Sequence, residues 1–250
     1  MRVKLTLAYD GTDFHGWQLQ KNSNSIQGVM EQALEKICSE PIRIHGSGRT
    51  DAGTHALGQV AHFDPPLCRS DIPWQKALNS ILPTSIRVIN ANKTDKDFHA
   101  RFSCISKTYS YTLWTESDFL YPQRRSFVWQ TGSVDLHLME QAAKHLLGKQ
   151  DFKSFMNKGT AVSSTYREIF CYSFEPGLYP QELVFKVKAD GFLKQMVRNI
   201  MGTLADIGRK KYPPDYFAWI IKVKNRENAP ATAPAKGLCL EKVEYPGHID

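Results

Sequence analysis

Apolar and polar residues alternate from the start of the chain, and this pattern predicts the first half of the fold. Residues 3–9 alternate as a half-buried strand that ends at the Asp10-Gly11 turn. Apolar residues then recur at helical spacing over 26–37, directly after Ser25, a residue type that caps helix starts. The same criteria predict strands at 42–48, 59–63 and 86–91 and a second helix at 71–82.

The resulting order, β-α-β-β-α-β, is the split-βαβ or ferredoxin-like arrangement. In this arrangement two helices cover one face of an antiparallel sheet and leave the other face open to a ligand. The second half of the chain repeats the theme in a looser form. Strands are predicted at 108–115, 126–130, 167–174, 183–189 and 238–243, and helices at 134–147, 192–207 and 216–224.

The pattern therefore predicts an α+β protein of two ferredoxin-like halves, residues 1–95 and 105–250, with a linker near residues 92–105. We expect the halves to join around a central, mostly antiparallel sheet, with the active-site cleft between them. By length alone, the chain of 250 residues could form one large domain or two small ones, and it is long enough to bury a core.

The charge, the apolar content and the cysteine and histidine spacing indicate which kinds of partner to expect among a polyanion, a membrane and a metal. The net charge of +7, most of it after residue 100, fits a polyanion better than a small neutral substrate, although a solvated lysine-rich surface gives the same count. No apolar run approaches the ~20 residues of a membrane helix, so we expect a cytoplasmic protein with no membrane partner. The five cysteines stand singly and the histidines form no HxH or HExxH motif, which predicts free, mostly buried thiols and no metal.

A single carboxylate, Asp51, lies in a turn-forming segment just after a predicted strand. Loops that a rigid scaffold holds are where catalytic groups tend to sit. An aspartate followed by Ala52-Gly53 is also typical of an ordinary Asx-turn, in which the side chain bonds a nearby backbone amide. Arg49 lies two positions earlier, on the same side of an extended segment, where it can pair with Asp51. That pairing suits either interpretation.

Six separated blocks resemble the tRNA pseudouridine synthase A family, in the family's order and over nearly the whole chain. The blocks are Tyr9-Asp10-Gly11-Thr12 with Gly16-Trp17-Gln18; Gly48-Arg49-Thr50-Asp51-Ala52-Gly53; Asp97-Phe98-His99-Ala100-Arg101-Phe102-Ser103; Lys107-Thr108-Tyr109-Ser110-Tyr111; Met196-Val197-Arg198-Asn199-Ile200; and Ala233-Pro234-Ala235-Lys236-Gly237-Leu238. The block around Asp51 is the most specific. The chain departs from the pattern at Thr54, where valine is expected, and at Cys239, where an aromatic residue is common.

The resemblance implies isomerisation of uridine to pseudouridine at positions 38 to 40 of the tRNA anticodon stem-loop, by a homodimer that needs no cofactor. It also implies the site residues: Asp51 as the catalytic carboxylate, Arg198 as its basic partner, Arg49 as the residue that enters the tRNA stack, and Tyr109 as the ring that stacks on uracil.

Each of these roles has a structural alternative. Tyr109 shares a strand face with Tyr111, which we assign to the core, and aromatic residues are common in strands. Arg198 sits on an amphipathic helix, from which a long cationic side chain can simply reach solvent. Arg101 and Lys107 are further candidates for RNA contact, although charged residues at strand ends are usually only solvated.

The chemistry explains why one carboxylate can suffice. The bond from the ribose to uracil N1 must break, the base must turn, and the sugar must be rejoined through C5 while water is kept out. A carboxylate can attack C1′, stabilise an oxocarbenium-like centre, or take a sugar proton to give a glycal, and the sequence does not choose among these. Keeping the carboxylate ionised where water is excluded requires a nearby cation. A base in a stem-loop must also be flipped out, and a flipped base favours an aromatic platform.

Two other functions compete with this interpretation. A non-catalytic RNA-binding module of ferredoxin-like type would explain the fold and the charge, but not the Arg-Thr-Asp-Ala-Gly loop. An enzyme for a small molecule would explain neither the basic second half nor the six blocks.

Overall fold

The computed structural model describes residues 1–69, 71–159 and 162–247 and divides into two compact units. The N-unit comprises residues 1–105 and the segment from Cys239, and the C-unit comprises Ser106–Leu238. In chain order the elements are β1 (Arg2–Tyr9), α1 (Ile26–Cys38), β2 (His45–Gly46), β3 (His55–Phe63), α2 (Trp74–Asn79), β4 (Ile86–Thr94), β5 (Ser106–Trp114), β6 (Trp129–Gln130), α3 (Leu136–Ala143), β7 (Gly148–Asp151), β8 (Tyr166–Pro176), β9 (Glu182–Ala189), α4 (Met196–Gly208), α5 (Asp215–Val223) and β10 (Leu238–Glu244). The protein is therefore α+β, as the sequence predicts.

The sheet of the N-unit is centred on β1. This strand lies between β3 and β4 and pairs antiparallel with both, so that Leu5 stands beside Ala61 on one side and Ala91 on the other. The short β2 pairs antiparallel with the end of β3, and β10 pairs parallel with its start, where Leu240 lies beside Ala56. The strand that follows the Asp51 segment is thus held along both of its sides.

Local sequence explains the first two elements of the N-unit. Every second residue of β1 is buried, which confirms the half-buried strand that the alternation predicts. The Ser25 side chain accepts a hydrogen bond from the Gly28 amide and caps α1, as predicted. The helix ends where Ser39 adopts a left-handed conformation with φ 61°. Helix α1 buries Met30 and Leu34 at helical spacing.

Several boundaries in the N-unit differ from prediction. The strand expected at 42–48 is reduced to His45–Gly46, since Ser47 and Gly48 already belong to the loop that follows. The strand expected at 59–63 begins earlier, at His55, because β10 pairs with its first residues. A Cβ atom on Gly58 would lie 2.3 Å from the carbonyl oxygen of Glu241, so this glycine permits close approach of the two strands. Helix α2 ends at Asn79, short of 82.

The sheet of the C-unit is antiparallel in the order β5-β9-β8-β7, with β6 parallel to the end of β5. Tyr109 on β5 stands beside Val187 on β9, and Val187 stands beside Tyr172 on β8. Strand β7 is not predicted by the sequence, because Gly148–Asp151 has no apolar alternation and is a strand only through its pairing with β8.

Helices of the C-unit start or end differently from prediction for local reasons. Helix α4 begins at Met196, not at 192, because Gln195 has a left-handed backbone with φ 62° that a continuous helix cannot contain. Helix α3 ends at Ala143 and continues only as a 3-10 turn to Leu146. The strand expected at 126–130 is only Trp129–Gln130. Helix α4 buries Ile200, Leu204 and Ile207, as its periodicity predicts.

The division between the units falls after Ile105, at the end of the segment predicted as a linker. The first residues of that segment belong to β4, which runs to Thr94. The last strand, expected within the second half, lies from Cys239 onward in the N-unit, where it pairs with β3. The Tyr245 hydroxyl also donates a hydrogen bond to the carbonyl of Ala100 there.

The composition also predicts free, mostly buried cysteines and no membrane helix. All five cysteines are free, as predicted, but only Cys38 is buried, so the prediction of mostly buried thiols is wrong. Among the described residues, no helix combines the length and the apolar character that crossing a bilayer would require.

Candidate active site

The Asp51 side chain is carried by the loop between β2 and β3, where it is half-buried. The backbone closes a turn in this loop, because the Thr54 amide donates to the Asp51 carbonyl at 3.1 Å. Gly53 occupies the left-handed position of the turn with φ 76°. The carboxylate therefore projects from a turn at the start of β3, where the sequence predicts it.

Residues 9–18 support this loop at very short range. A Cβ atom on Gly16 would lie 2.4 Å from the Thr50 carbonyl oxygen, and Gly16 also has a positive φ of 82°. A Cβ atom on Gly11 would lie 2.0 Å from the Thr54 carbonyl oxygen. The Trp17 amide donates to the Thr50 carbonyl at 3.1 Å. Two sequence blocks that are distant along the chain thus form one structure around Asp51.

A buried hydrogen-bond network holds the loop from the sheet side. The fully buried Gln59 side chain donates to the Gly48 carbonyl at 3.0 Å and accepts from the Ser47 hydroxyl at 2.7 Å. The Tyr9 and Thr50 hydroxyls lie 2.9 Å apart. Burial raises the pKa of the Tyr9 hydroxyl, which keeps it neutral and able to donate. These contacts hold the residues just before Arg49 and, at Thr50, the residue between Arg49 and Asp51.

Gln59 is not among the site residues predicted from the sequence. We expect its replacement to destabilise the fold. Gln59→Leu keeps most of the volume but leaves buried partners unsatisfied, so it should lower the free energy of unfolding by ~3 kcal/mol. On the tRNA substrate that the family resemblance implies, turnover should fall more than affinity, because the loop that carries Asp51 loses its support.

Urea unfolding, initial rates and filter binding measure these three quantities. The matched control is Gln32→Leu, at an exposed position of α1. If the two variants behave alike, the network does not position the loop.

Thr54, one of the departures from the family pattern, has a buried hydroxyl with no hydrogen-bond partner among the described residues. Burying an unsatisfied hydroxyl is unfavourable, so Thr54→Val should stabilise the protein by ~1 kcal/mol. Thr54→Ser keeps the hydroxyl and loses the methyl group, and it should be less stable than the parent. Urea unfolding of the three proteins gives the order directly, and a valine variant less stable than the parent would contradict this account.

His55, at the start of β3, is a second residue near the Asp51 loop that is not among the predicted site residues. Its buried ring accepts a hydrogen bond from the Gly11 amide at Nδ1, over 3.1 Å, and the same atom lies 3.2 Å from Asp10 Oδ1. Asp10 Oδ1 accepts from the Thr12 amide and hydroxyl. The Asp10–Thr12 turn is therefore fastened next to the Asp51 loop.

Arg49 is exposed, and its Nε donates to Gln18 Oε1 at 2.9 Å. Gln18 in turn donates to Gln27. The guanidinium is therefore held at the surface beside the loop through Gln18. Pairing of Arg49 with Asp51 stays a prediction.

Tyr109 and Tyr111 lie on β5 in the C-unit and differ in their surroundings. Tyr111 is fully buried and donates to the Pro234 carbonyl at 2.7 Å, which confirms its assignment to the core. Burial raises the pKa of its hydroxyl, and the charge of Arg198 acts in the opposite direction. Tyr109 retains 8% exposure and packs edge-to-face against Phe192, with ring centroids 5.1 Å apart.

Arg198 lies in the first turn of α4, half-buried. Its Nε donates to the Ala233 carbonyl at 2.8 Å, and the Ala233 amide donates to the Arg198 carbonyl. The side chain is therefore engaged with the 233–238 block and does not simply reach solvent. Asn199, the next residue, is fully buried and accepts from both Arg226 and Thr232, so this helix start organises the whole 226–233 segment.

The four candidate residues thus fall into two pairs. Arg49 and Asp51 share one loop of the N-unit, and Tyr109 and Arg198 both belong to the C-unit. Of the two further candidates, Arg101 is exposed in the N-unit and Lys107 is half-buried on β5. No group of three or more metal-ligating side chains is placed to hold an ion in the part of the chain that the structure describes.

Comparison with known proteins identifies the family. A family model described as tRNA pseudouridine synthase matches residues 6–103 and 142–246, which include Arg49, Asp51 and Arg198 but not Tyr109. A crystal structure of a Cbf5-Nop10-Gar1 complex aligns with 78% of this chain and 43% of its own, at 10% identity and a TM-score of 0.35, which is too low to support a conclusion.

Similar proteins named tRNA pseudouridine synthase A occur in several bacteria. The one from Maridesulfovibrio salexigens is 48% identical over 244 residues, covering 98% of this chain and 90% of the relative. Those from Solidesulfovibrio magneticus and Chlamydia felis are 47% and 45% identical, each covering 98% of this chain and 91% and 92% of the relatives. Since the family model matches well over half of the chain and these relatives cover nearly its full length, the chain belongs to the tRNA pseudouridine synthase A family.

Proposed function

We propose that this protein converts uridine to pseudouridine at positions 38 to 40 of the tRNA anticodon stem-loop, with Asp51 as the catalytic carboxylate. Isomerisation of uridine in tRNA follows from membership of the family, whereas the positions and the residue roles are the proposal. The observation that best supports the role of Asp51 is the rigid support of the loop that contains it. Backbone packing of Gly11 and Gly16 and the buried Gln59 network hold one half-buried carboxylate in place.

The proposed arrangement uses both units. We infer that each unit is a ferredoxin-like half, that the halves join around a central sheet, and that the cleft between them binds the flipped uridine. Asp51 and Arg49 would reach this cleft from the N-unit, and Tyr109 and Arg198 from the C-unit. The family resemblance supports this placement, together with the exposure that Arg49 and Asp51 retain.

In this cleft each residue has a distinct role. The uracil leaves C1′ with the N1 bonding electrons, which its two carbonyl groups delocalise. Asp51 then compensates the positive charge at C1′, either by bonding to it or by electrostatic stabilisation, or removes a sugar proton. The base turns and C5 bonds to C1′, as any bond between Asp51 and C1′ breaks or a sugar proton taken by Asp51 is returned. The C5 proton is then released to solvent and N1 takes up a proton, so that the product is an isomer of uridine. Tyr109 stacks on the uracil during the turn, and Arg49 fills the space that the flipped base leaves in the stem.

Arg198 has the role of keeping Asp51 charged and oriented. A carboxylate in a site that excludes water needs a cation nearby to remain ionised. Arginine suits this task because it stays protonated when partly buried and has several donors in one plane. The Nε bond to the Ala233 carbonyl already holds the stem of this side chain in place.

Assembly and location complete the proposal. We infer a homodimer, since a stem-loop with the adjoining tRNA is large for one chain to grip, and a cytoplasmic location, where tRNA is modified. Sedimentation of the active protein tests the dimer, and a fully active monomer would contradict it.

Release of tritium from C5-labelled uridine in tRNA tests the function against the alternative of a binding module. With tRNA in large excess over protein, an enzyme should release many equivalents of tritium per chain. A non-catalytic module should bind the same tRNA and release none.

A further inference from the structure

The N-unit carries a row of aromatic rings that ends at the surface and has no role in the proposed chemistry. His45 stacks on His62 with ring centroids 5.2 Å apart, and His62 lies 4.6 Å from His99. The ring of Phe102 packs on His99 at 4.3 Å. Phe102 itself is 76% exposed, so the row ends in an aromatic ring that is open to solvent.

The turn that presents Phe102 is rigidly held. His99 Nδ1 accepts hydrogen bonds from the amides of Arg101 and Phe102, and the Ser103 hydroxyl accepts from the His99 amide. The Ala100 amide donates to the Nδ1 atom of His62, which is buried in β3. Four hydrogen bonds already hold this turn in one conformation. Phe102 therefore loses little conformational entropy when a partner binds.

The charge beside Phe102 favours an anionic partner. The Arg101 guanidinium lies 5.6 Å from the centre of the Phe102 ring and is exposed. No acidic partner of Arg101 is found within the described ranges. Burial lowers the pKa of His62 to about 4, so this ring is neutral at physiological pH and Arg101 supplies the positive charge next to Phe102. An exposed ring next to an unpaired arginine fits a nucleobase with its neighbouring phosphate.

The distance of Phe102 from the Asp51 loop determines which part of a bound tRNA Phe102 can reach. His62, next to the Phe102 turn, is seven residues along β3 from His55, which follows the Asp51 loop. Seven residues of strand span roughly 23 Å. A base that meets Phe102 therefore lies well outside the nucleotide that Asp51 acts on.

We propose that Phe102 and Arg101 form a second tRNA contact, in which Phe102 stacks on an unpaired or terminal base about 20 Å from the target uridine and Arg101 binds the adjacent phosphate. The proposal rests on tRNA being the substrate, as argued for the function. It adds a surface that helps to select a whole tRNA over a fragment with the same target uridine.

The test compares variants on two RNAs, a full-length unmodified tRNA and a short stem-loop centred on the target uridine. Phe102→Leu should weaken binding of the full tRNA about tenfold, since loss of one stacked base costs this order of affinity. Its KM should rise in parallel. Phe102→Tyr keeps the ring and should bind within about twofold of the parent. On the short stem-loop, Phe102→Leu and the parent should have equal affinity.

Arg101→Gln and Leu67→Ala complete the set. Arg101→Gln should reduce the dependence of full-tRNA affinity on salt, because one phosphate contact is lost. Leu67 is 87% exposed in the same unit and serves as the control for loss of a surface apolar side chain, with no effect expected on either RNA.

Three outcomes would overturn the proposal. The first is equal affinity of Phe102→Leu and the parent for the full tRNA. The second is an equal loss on both RNAs, which would place the contact near the target uridine. The third is a change of Phe102→Leu from dimer to monomer in sedimentation, which would make the surface an interface between copies. In all three cases, tritium release by the parent shows separately whether the proposed function holds.

Discussion

Replacing Asp51 by asparagine should leave tRNA bound and stop the chemistry. The amide keeps the shape and the hydrogen-bonding reach of the carboxylate, so the braced loop between β2 and β3 should be unchanged. What is lost is the negative charge next to a cationic sugar centre, and the amide is a poor nucleophile and a poor base. The rate should fall by at least ~10³.

Tritium release in a single turnover, with protein in saturating excess over tRNA, measures this rate, and filter binding on the same variant is the control for substrate affinity. Turnover within tenfold of the parent would refute a catalytic role and favour the Asx-turn interpretation. Urea unfolding of the variant tells whether the carboxylate also supports the fold, and unchanged stability is expected.

The second large effect concerns Arg198. Arg198→Ala removes the cation proposed to keep Asp51 charged and oriented, and it should lower kcat by about 10², comparable with removing one electrostatic donor from an active site. The affinity for tRNA should change far less, because this arginine is proposed to act on the carboxylate and not on a phosphate. Equal losses in kcat and affinity would make it an RNA contact.

Arg198→Lys distinguishes the effect of the positive charge from the effect of the hydrogen bond to Ala233. Lysine keeps the positive charge but cannot reproduce the Nε bond to the Ala233 carbonyl. If charge is what matters, the lysine variant should recover a large part of kcat. A lysine variant as slow as the alanine variant, and equally destabilised in urea, would show that the bond to the 233–238 block is the main role.

Much of the fold follows from local sequence, because local forces determine it. Strand β1 has strict alternation, and α1 has a serine cap and apolar residues at helical spacing, so each is specified within its own residues. The position of Asp51 just past a strand is also a local feature. Family membership was predictable for a different reason, since the blocks around Asp51 and Arg198 are specific in sequence.

The remaining differences come from contacts between distant residues. Strand β3 starts at His55 because β10 pairs with it, and Gly148–Asp151 is a strand because β8 lies beside it. Neither pairing partner is visible in a local window. The Arg49 bond to Gln18 is of the same kind, since it joins residues that the fold brings together.

Gln59 shows what signal could have revealed a missed residue. A glutamine within an otherwise apolar strand is unfavourable to bury unless its amide is fully hydrogen-bonded. Its presence in the 59–63 pattern therefore indicates a buried polar network, but not which partners it has. The structure supplies those partners, Ser47 and Gly48, which directly precede the segment that carries Arg49 and Asp51.

Mapping of pseudouridine in a single unmodified tRNA that has uridine at positions 38, 39 and 40 tests the central claim most directly. The tRNA is incubated with purified protein in the presence of a chelator and with no added cofactor. The account predicts pseudouridine at these three positions from the parent protein and none from Asp51→Asn. Pseudouridine at other positions only, no product without an added metal or cofactor, or product from the asparagine variant at the parent rate would contradict it.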